Sequence, residues 1–327
     1  MYTRERERAV ESVCYEQEHI NQVMKIIKSK FGGYFEKFLI NEGKAGFNES
    51  NVKEIAKKLG MDGSITKKDI DKTQSYKSII FHGLADFEKN RQKYLDIMDK
   101  ETLEEHRDDP FNFKSKTMRN ECPIINSTLN YPAKALDKYK RDFKLCKANE
   151  LLEVVTNLNN FAVNYKSSIY NSDNYDNIAG YADLFFSELD TQSCTLYGVI
   201  GGGIKSHLLY KLFPSAFPNR SRESIWALWY LSDKTTLGCQ MDSEFLMIDI
   251  DKCITQQNYF YPYELFAFYA HQIYQLLRNE AKILGVHLEY EYRYVIVDTF
   301  LSFIAGSHTS EISLLTNQIG DSDNGYV

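Results

Sequence analysis

The sequence predicts an α+β protein that is predominantly α-helical, with a small sheet in the C-terminal half. Three observations carry this expectation. Apolar residues recur at steps of three and four through the first half, short strand-like, largely apolar runs (LYGVI, FLMID, YRYVIVD) occur in the second, and Gly and Pro punctuate the segments between them. Steps of three and four are the period of a helix with one buried face, whereas a short apolar run bounded by turn residues reads as a buried strand.

Length and charge set the organisation. At 327 residues the chain exceeds the usual single-domain size, so it reads as a helical, weakly basic region over 1–130 and an acidic, aromatic-rich α/β domain over 131–327. Residues 1–150 carry 29 Lys and Arg against 25 Asp and Glu, and residues 151–327 carry 10 against 20. Halves of opposite sign either dock on one another or meet different partners, nucleic acid being the candidate for the first. The 23 Tyr and 20 Phe supply a core, or a surface that meets a partner. Six cysteines without a C-x-x-C pair argue against a disulfide framework or a zinc ribbon and suit a reducing compartment. No apolar run approaches membrane-spanning length and MYTRERERAVES lacks an apolar signal region, so a cytoplasmic protein without a membrane partner is expected.

In chain order, residues 4–30 predict a helix whose buried stripe includes Cys14, Ile20, Val23, Met24 and Ile27, broken by Gly32-Gly33. In residues 51–72, Val52, Ile55 and Leu59 face inward and Ala56 precedes Gly60 by four positions. This spacing resembles the first helix and turn of a helix-turn-helix module, and the resemblance implies that Thr66, Lys67, Lys68 and Lys72 meet phosphates or bases. A further helix is expected over 75–100, with His82 and His106 as structural or surface residues. Pro110, Pro123 and Pro132 punctuate a segment of little periodicity, read as an irregular loop or domain junction. Residues 133–155 return to helix with a lysine-rich face, fit either to track phosphates or to sit against the acidic half.

The stretch from Thr195 to Leu231 concentrates the punctuation: LYGVI, the triple glycine 201–203, a helix, Pro214 and Pro218, then a second helix with Trp226 and Trp229. The glycines miss the P-loop pattern because Ile204 intrudes before Lys205-Ser206, and they miss the dinucleotide pattern because Ser206 holds the third glycine position. The run IGGGIKSHLL is instead similar to the hairpin of helix-hairpin-helix DNA-binding proteins, with Gly201, Gly203 and Lys205 in register. That resemblance implies a phosphate held by backbone N–H groups at a helix start, with Arg220 and Arg222 as neighbouring charges. The alternative is a glycine turn that lets a helix pack closely. Asn219 or Ser221 is the expected cap of the helix that follows.

Asp242, Glu244, Asp249 and Asp251 bracket FLMID, with Asp298 at the end of YRYVIVD. Carboxylates so grouped suit Mg²⁺ or Mn²⁺ in phosphodiester hydrolysis. A strongly apolar helix is expected after Pro262, carrying His271 as a core histidine. The functional expectation is therefore a nucleic-acid-associated binding protein, with DNA or RNA as partner. A metal-dependent phosphodiesterase or nuclease is one alternative. A non-enzymatic subunit of a multiprotein complex, bound to a protein partner or to a second copy of itself, is the other.

Overall fold

The structure, a computed structural model, describes residues 13–45, 72–171, 175–236 and 261–321. The N-terminal stripe forms as its period demands. In α1 (Gln17–Ala45), Ile20, Val23, Ile27, Phe31, Phe35 and Phe38 are buried on one face. Gly32 and Gly33 sit inside this helix on its exposed side, with open space where their Cβ atoms would be, and do not end it. α2 (Lys72–Glu88) lies along α1, with Tyr76 edge-on to Phe35 at 5.3 Å. Two short helices follow, α3 (Arg91–Ile97) and α4 (Lys100–Glu105). The second is capped by the Asp99 carboxylate, which accepts from the N–H groups of Glu101 and Thr102 at 3.0 and 3.1 Å.

The segment expected to be an irregular loop is helical. Pro110 opens a short turn that runs into a π-helical stretch, Phe113–Glu121, and Pro123 opens α5 (Pro123–Asn130). Each proline sits at the first helical position, where its missing N–H has no partner to lose and its fixed φ suits the helix. The lysine-rich segment divides at extended Cys146 and Lys147 into α6 (Asp137–Leu145) and α7 (Ala148–Asn164).

No strand occurs among the described residues, so the α+β expectation is corrected to an all-helical one there, without the small sheet. LYGVI is a tight turn: Leu196 and Ile200 exchange backbone hydrogen bonds of 3.1 and 2.8 Å as an isolated bridge. YRYVIVD opens a helix. α11 (Arg293–Ser307) is contacted by α1, α2, α9 (Arg222–Leu231) and α10 (Tyr263–Ile283), and buries Tyr294, Val295, Ile296, Val297, Phe300 and Ile304. With four helices packed around it, this helix keeps only a narrow polar edge (Asp298, Ser302, Gly306), so its 3.6-residue signal is weak, and its β-branched Val-Ile-Val imitates a strand. FLMID lies outside the described residues.

The remaining helices are α8 (Gly202–Leu212), which contacts α3 and α7, and α12 (Thr309–Asp321). Ser221 caps α9, its hydroxyl accepting from the Ser224 N–H at 3.0 Å. The aromatic residues are spent largely inside: Phe300 meets Phe31 and Phe38 at 5.4 and 5.2 Å, and Trp226 stands edge-on to Trp229 at 5.4 Å. One buried apolar cluster runs through elements on both sides of residue 130.

Candidate functional site

Four helices frame a polar cavity. α2 and α11 approach closely at Gly83, where an added Cβ would lie 2.7 Å from Thr299 Oγ1. Beside this contact a cavity of about 860 Å³ opens between α2, α8, α11 and the end of α1. Side chains three and four positions apart on a helix share a face. α8 accordingly presents His207, Tyr210 and Lys211 to the cavity, α11 presents Asp298 and Ser302, and α2 presents His82 and Asp86.

Asp298 is the electrostatic centre. Its Oδ1 accepts a hydrogen bond from Asn219 Nδ2 at 3.1 Å. Burial pushes the carboxyl from the ordinary 3.8 up to about 7, outweighing the Asn219 hydrogen bond, the charge of Lys211 and the Tyr210 hydroxyl, all of which pull it down; the charge of Glu223 adds to the rise. Near neutral pH this group is divided between acid and carboxylate, the condition for giving and taking protons.

Lys211 stands close by and is 7 % exposed. Its Nζ donates to the Phe87 carbonyl at 2.5 Å and sits 4.3 Å from the centre of the Phe87 ring. Burial brings the ammonium from 10.5 down to about 8, with Arg91 pushing the same way, while the charges of Asp298 and Glu88 oppose it. Arg91 also closes the C-terminal end of α8, donating to the Lys211 and Leu212 carbonyls at 3.0 and 3.2 Å. His207 is lowered from 6.5 to about 4, by burial first and then by the charge of Lys211, and is neutral at pH 7. Its Nε2 lies 3.1 Å from the Tyr94 hydroxyl, which accepts from the Ile124 N–H at 3.0 Å.

The residues expected to bind phosphate are arranged otherwise. Gly201 caps α8 and is exposed, as is Gly203. Lys205 turns inward: its Nζ donates to the Leu189 carbonyl and, at 3.1 Å, to Thr195 Oγ1, with Asp190 at 3.6 Å. Arg220 is buried with its guanidinium against Gly202, where any Cβ would collide with it. Of the three cations only Arg222, in the first turn of α9, is exposed. Short 3₁₀ turns and the Leu196–Ile200 turn precede Gly201, where a helix-hairpin-helix pair would place a helix. Of the three glycines Gly202 alone is closely packed, whereas a Cβ on Gly201 would meet open space.

Thr66, Lys67 and Lys68 lie outside the described residues, and Lys72, exposed at the start of α2, pairs with Glu36 at 3.4 Å. Asp242, Glu244, Asp249 and Asp251 also lie outside the described residues. Among the described residues no group of three or more His, Cys, Asp or Glu side chains is placed to hold a metal ion. The basic face of α6 is largely matched along its own helix, Lys138 with Asp142 at 2.5 Å and Lys140 with Asp137 at 3.8 Å.

Sequence reasoning placed Asp298 beside a metal cluster and overlooked Lys211, while His82, read as structural or surface, is exposed at the cavity edge. Two signals were present: a lone carboxylate inside the apolar run VIVDTF, and a Lys four positions after a His on a mostly apolar helix. No family model matches the chain, and no curated protein or solved structure matches it. Among the described residues no helix is long and apolar enough to cross a membrane.

Proposed function

We propose that the chain binds a small molecule in the cavity between α2, α8 and α11 and exchanges a proton with it through Asp298. The observation that carries this reading is a carboxyl group held near neutrality in the wall of a cavity of about 860 Å³. A carboxyl so placed costs folding stability, and groups kept at such a cost are characteristic of functional sites. The cavity falls within the size range of small-molecule sites, and its walls set aromatic side chains (Phe87, Tyr210, Phe303) among many ionisable and hydroxyl groups, which suits a polar ligand.

Ligand-observed NMR with a fragment set of amines, carboxylic acids, aldehydes and ketones tests it. Binding is expected to be lost in Ser302→Trp, which fills the cavity from α11, and to depend on pH with a midpoint near that of Asp298. Absence of binding, or binding indifferent to Ser302→Trp, overturns the proposal.

A nucleic-acid partner draws less support. It rests on the exposed Arg222 beside the α8 start and on basic residues outside the described part of the chain, and its test is salt-dependent retention on DNA and RNA. A Mg²⁺- or Mn²⁺-dependent phosphodiesterase reading rests on the acidic residues around 242–251, and fails if Asp249→Ala leaves metal-dependent cleavage unchanged.

A further inference from the structure

We infer that Lys211 is a nucleophilic amine that captures a small aldehyde or ketone in this cavity as a Schiff base, with Asp298 as its proton donor and acceptor. The inference rests on the ligand-binding reading above and adds the chemical class of the ligand.

The two buried lysines of the described chain differ in a way that points to chemistry. Lys205, 3 % exposed, is tied to a carbonyl, a hydroxyl and a carboxylate, as a buried ammonium requires. Lys211, 7 % exposed, has the Phe87 carbonyl as its hydrogen-bond partner and makes no ion pair among the described residues. An ammonium carries three donors, so Lys211 is a buried cation with donors to spare, on the wall of a cavity large enough to admit a ligand. Burial disfavours its charge and Arg91 is a like-charged neighbour, and together they outweigh what favours the ammonium: the charges of Asp298 and Glu88, and the Phe87 ring face 4.3 Å away. Desolvation in an apolar pocket and a neighbouring cation are the two devices that activate a lysine amine. They hold Lys211 at about 8, so an appreciable neutral fraction exists at physiological pH.

Asp298 supplies the proton traffic. The neutral Nζ attacks the carbonyl carbon, the C–N bond forms, and the π electrons pass to oxygen, which takes the proton of the Asp298 carboxylic acid. The resulting carboxylate removes a proton from nitrogen to give the carbinolamine. The nitrogen lone pair then expels the hydroxyl, which leaves as water with the proton returned by Asp298. One amine, one carbonyl and one carboxylic acid become one iminium, one water and one carboxylate. The two groups act on each other electrostatically without a direct ion pair, and both line the cavity.

The test is reductive trapping on the intact chain. Acetone, acetaldehyde and benzaldehyde are each incubated with the protein and sodium cyanoborohydride, and the adducts are mapped by mass spectrometry. One adduct per chain is expected, on Lys211, forming at least about tenfold faster than on exposed lysines, with a bell-shaped pH dependence that needs Lys211 neutral, at about 8, and Asp298 protonated, at about 7. Asp298→Asn is expected to slow trapping with the adduct still on Lys211. Lys205 stays unlabelled. Equal labelling of exposed lysines with Lys211 unmodified overturns the inference, and needs no variant that might misfold. If fragments still bind the wild-type cavity without reductant, the binding reading survives alone; if Ser302→Trp changes neither binding nor trapping, both fall.

Discussion

Asp298→Asn keeps the side-chain shape and removes its titration, which makes the cost of the poised carboxyl measurable. The group ionises at 3.8 when free and at about 7 in the fold. Between those values the folded chain holds more protons than the unfolded one, so stability falls as pH rises through the window and the loss is complete above pH 7. At about 1.4 kcal/mol per pH unit, the full cost is roughly 4 kcal/mol. The amide keeps an oxygen to accept from Asn219 but turns an N–H₂ towards the Tyr210 hydroxyl, a loss of about 1 kcal/mol. The variant should therefore be more stable than the wild type at pH 8 by roughly 3 kcal/mol, which for a chain of this size raises the melting temperature by roughly 4 °C. At pH 5 most of the wild-type cost has not yet appeared, and the two proteins should melt together. Calorimetric melting of both at pH 5, 6, 7 and 8 reads this directly, because the fixed effect of the amide cancels in the change with pH. A difference that stays constant, or a variant that becomes relatively less stable at pH 8, refutes the reasoning, since it would mean that the folded chain stabilises the carboxylate. The same substitution should abolish proton exchange with ligand, a gain in stability at the expense of function.

Three further outcomes are expected. His207 and His271 are each lowered from 6.5 to about 4 by burial, with the charges of Lys211 and Arg293 respectively adding to it. Both should hold their neutral NMR shifts down to about pH 5, and each should withdraw roughly 3 kcal/mol of stability as pH falls from 6.5 through 4; a midpoint near 6.5 for either contradicts this. Asp176 accepts from Arg293 at 2.9 Å and from Arg278 at 2.5 Å, and Arg293 is 1 % exposed. Asp176→Ala should lower unfolding stability in urea by about 3–5 kcal/mol because it leaves a buried charge uncompensated, whereas Glu291→Ala, which breaks the more exposed pair to Lys166, should cost under about 1 kcal/mol. Gly83→Ala should cost about 1–3 kcal/mol through its contact with Thr299 Oγ1, and Thr299→Ala should recover much of it. Strict additivity in that double-mutant cycle would show that the two side chains do not collide.

How far the chain could be read in advance depended on where each segment sits. The α1 stripe was legible because that helix has one wet side: Ile20, Val23 and Ile27 are buried between exposed residues. The α9 start was legible from Ser221, since a cap is a local interaction. The Pro110–Asn130 segment was misread because proline was taken as a breaker, although at the first position of a helix it starts one. α11 was misread because its neighbours leave it only a narrow polar edge, too weak a period against the strand-like Val-Ile-Val.

The site was less legible than the fold. The glycines and Lys205 drew attention by spacing, yet spacing does not say which way a side chain points, and Lys205 points to Leu189. What the sequence by itself determined was local: which segments have an apolar face, where helices begin, and that a single carboxylate interrupts the run VIVDTF. Tertiary structure alone decided that this carboxylate lines a cavity with Lys211 and His207, residues 87 and 91 positions away, and that each titrates far from its ordinary value. Hydrogen bonds within a turn of helix are written in adjacent residues. Burial, which moves the proton affinity of Asp298, is a property of everything packed around it.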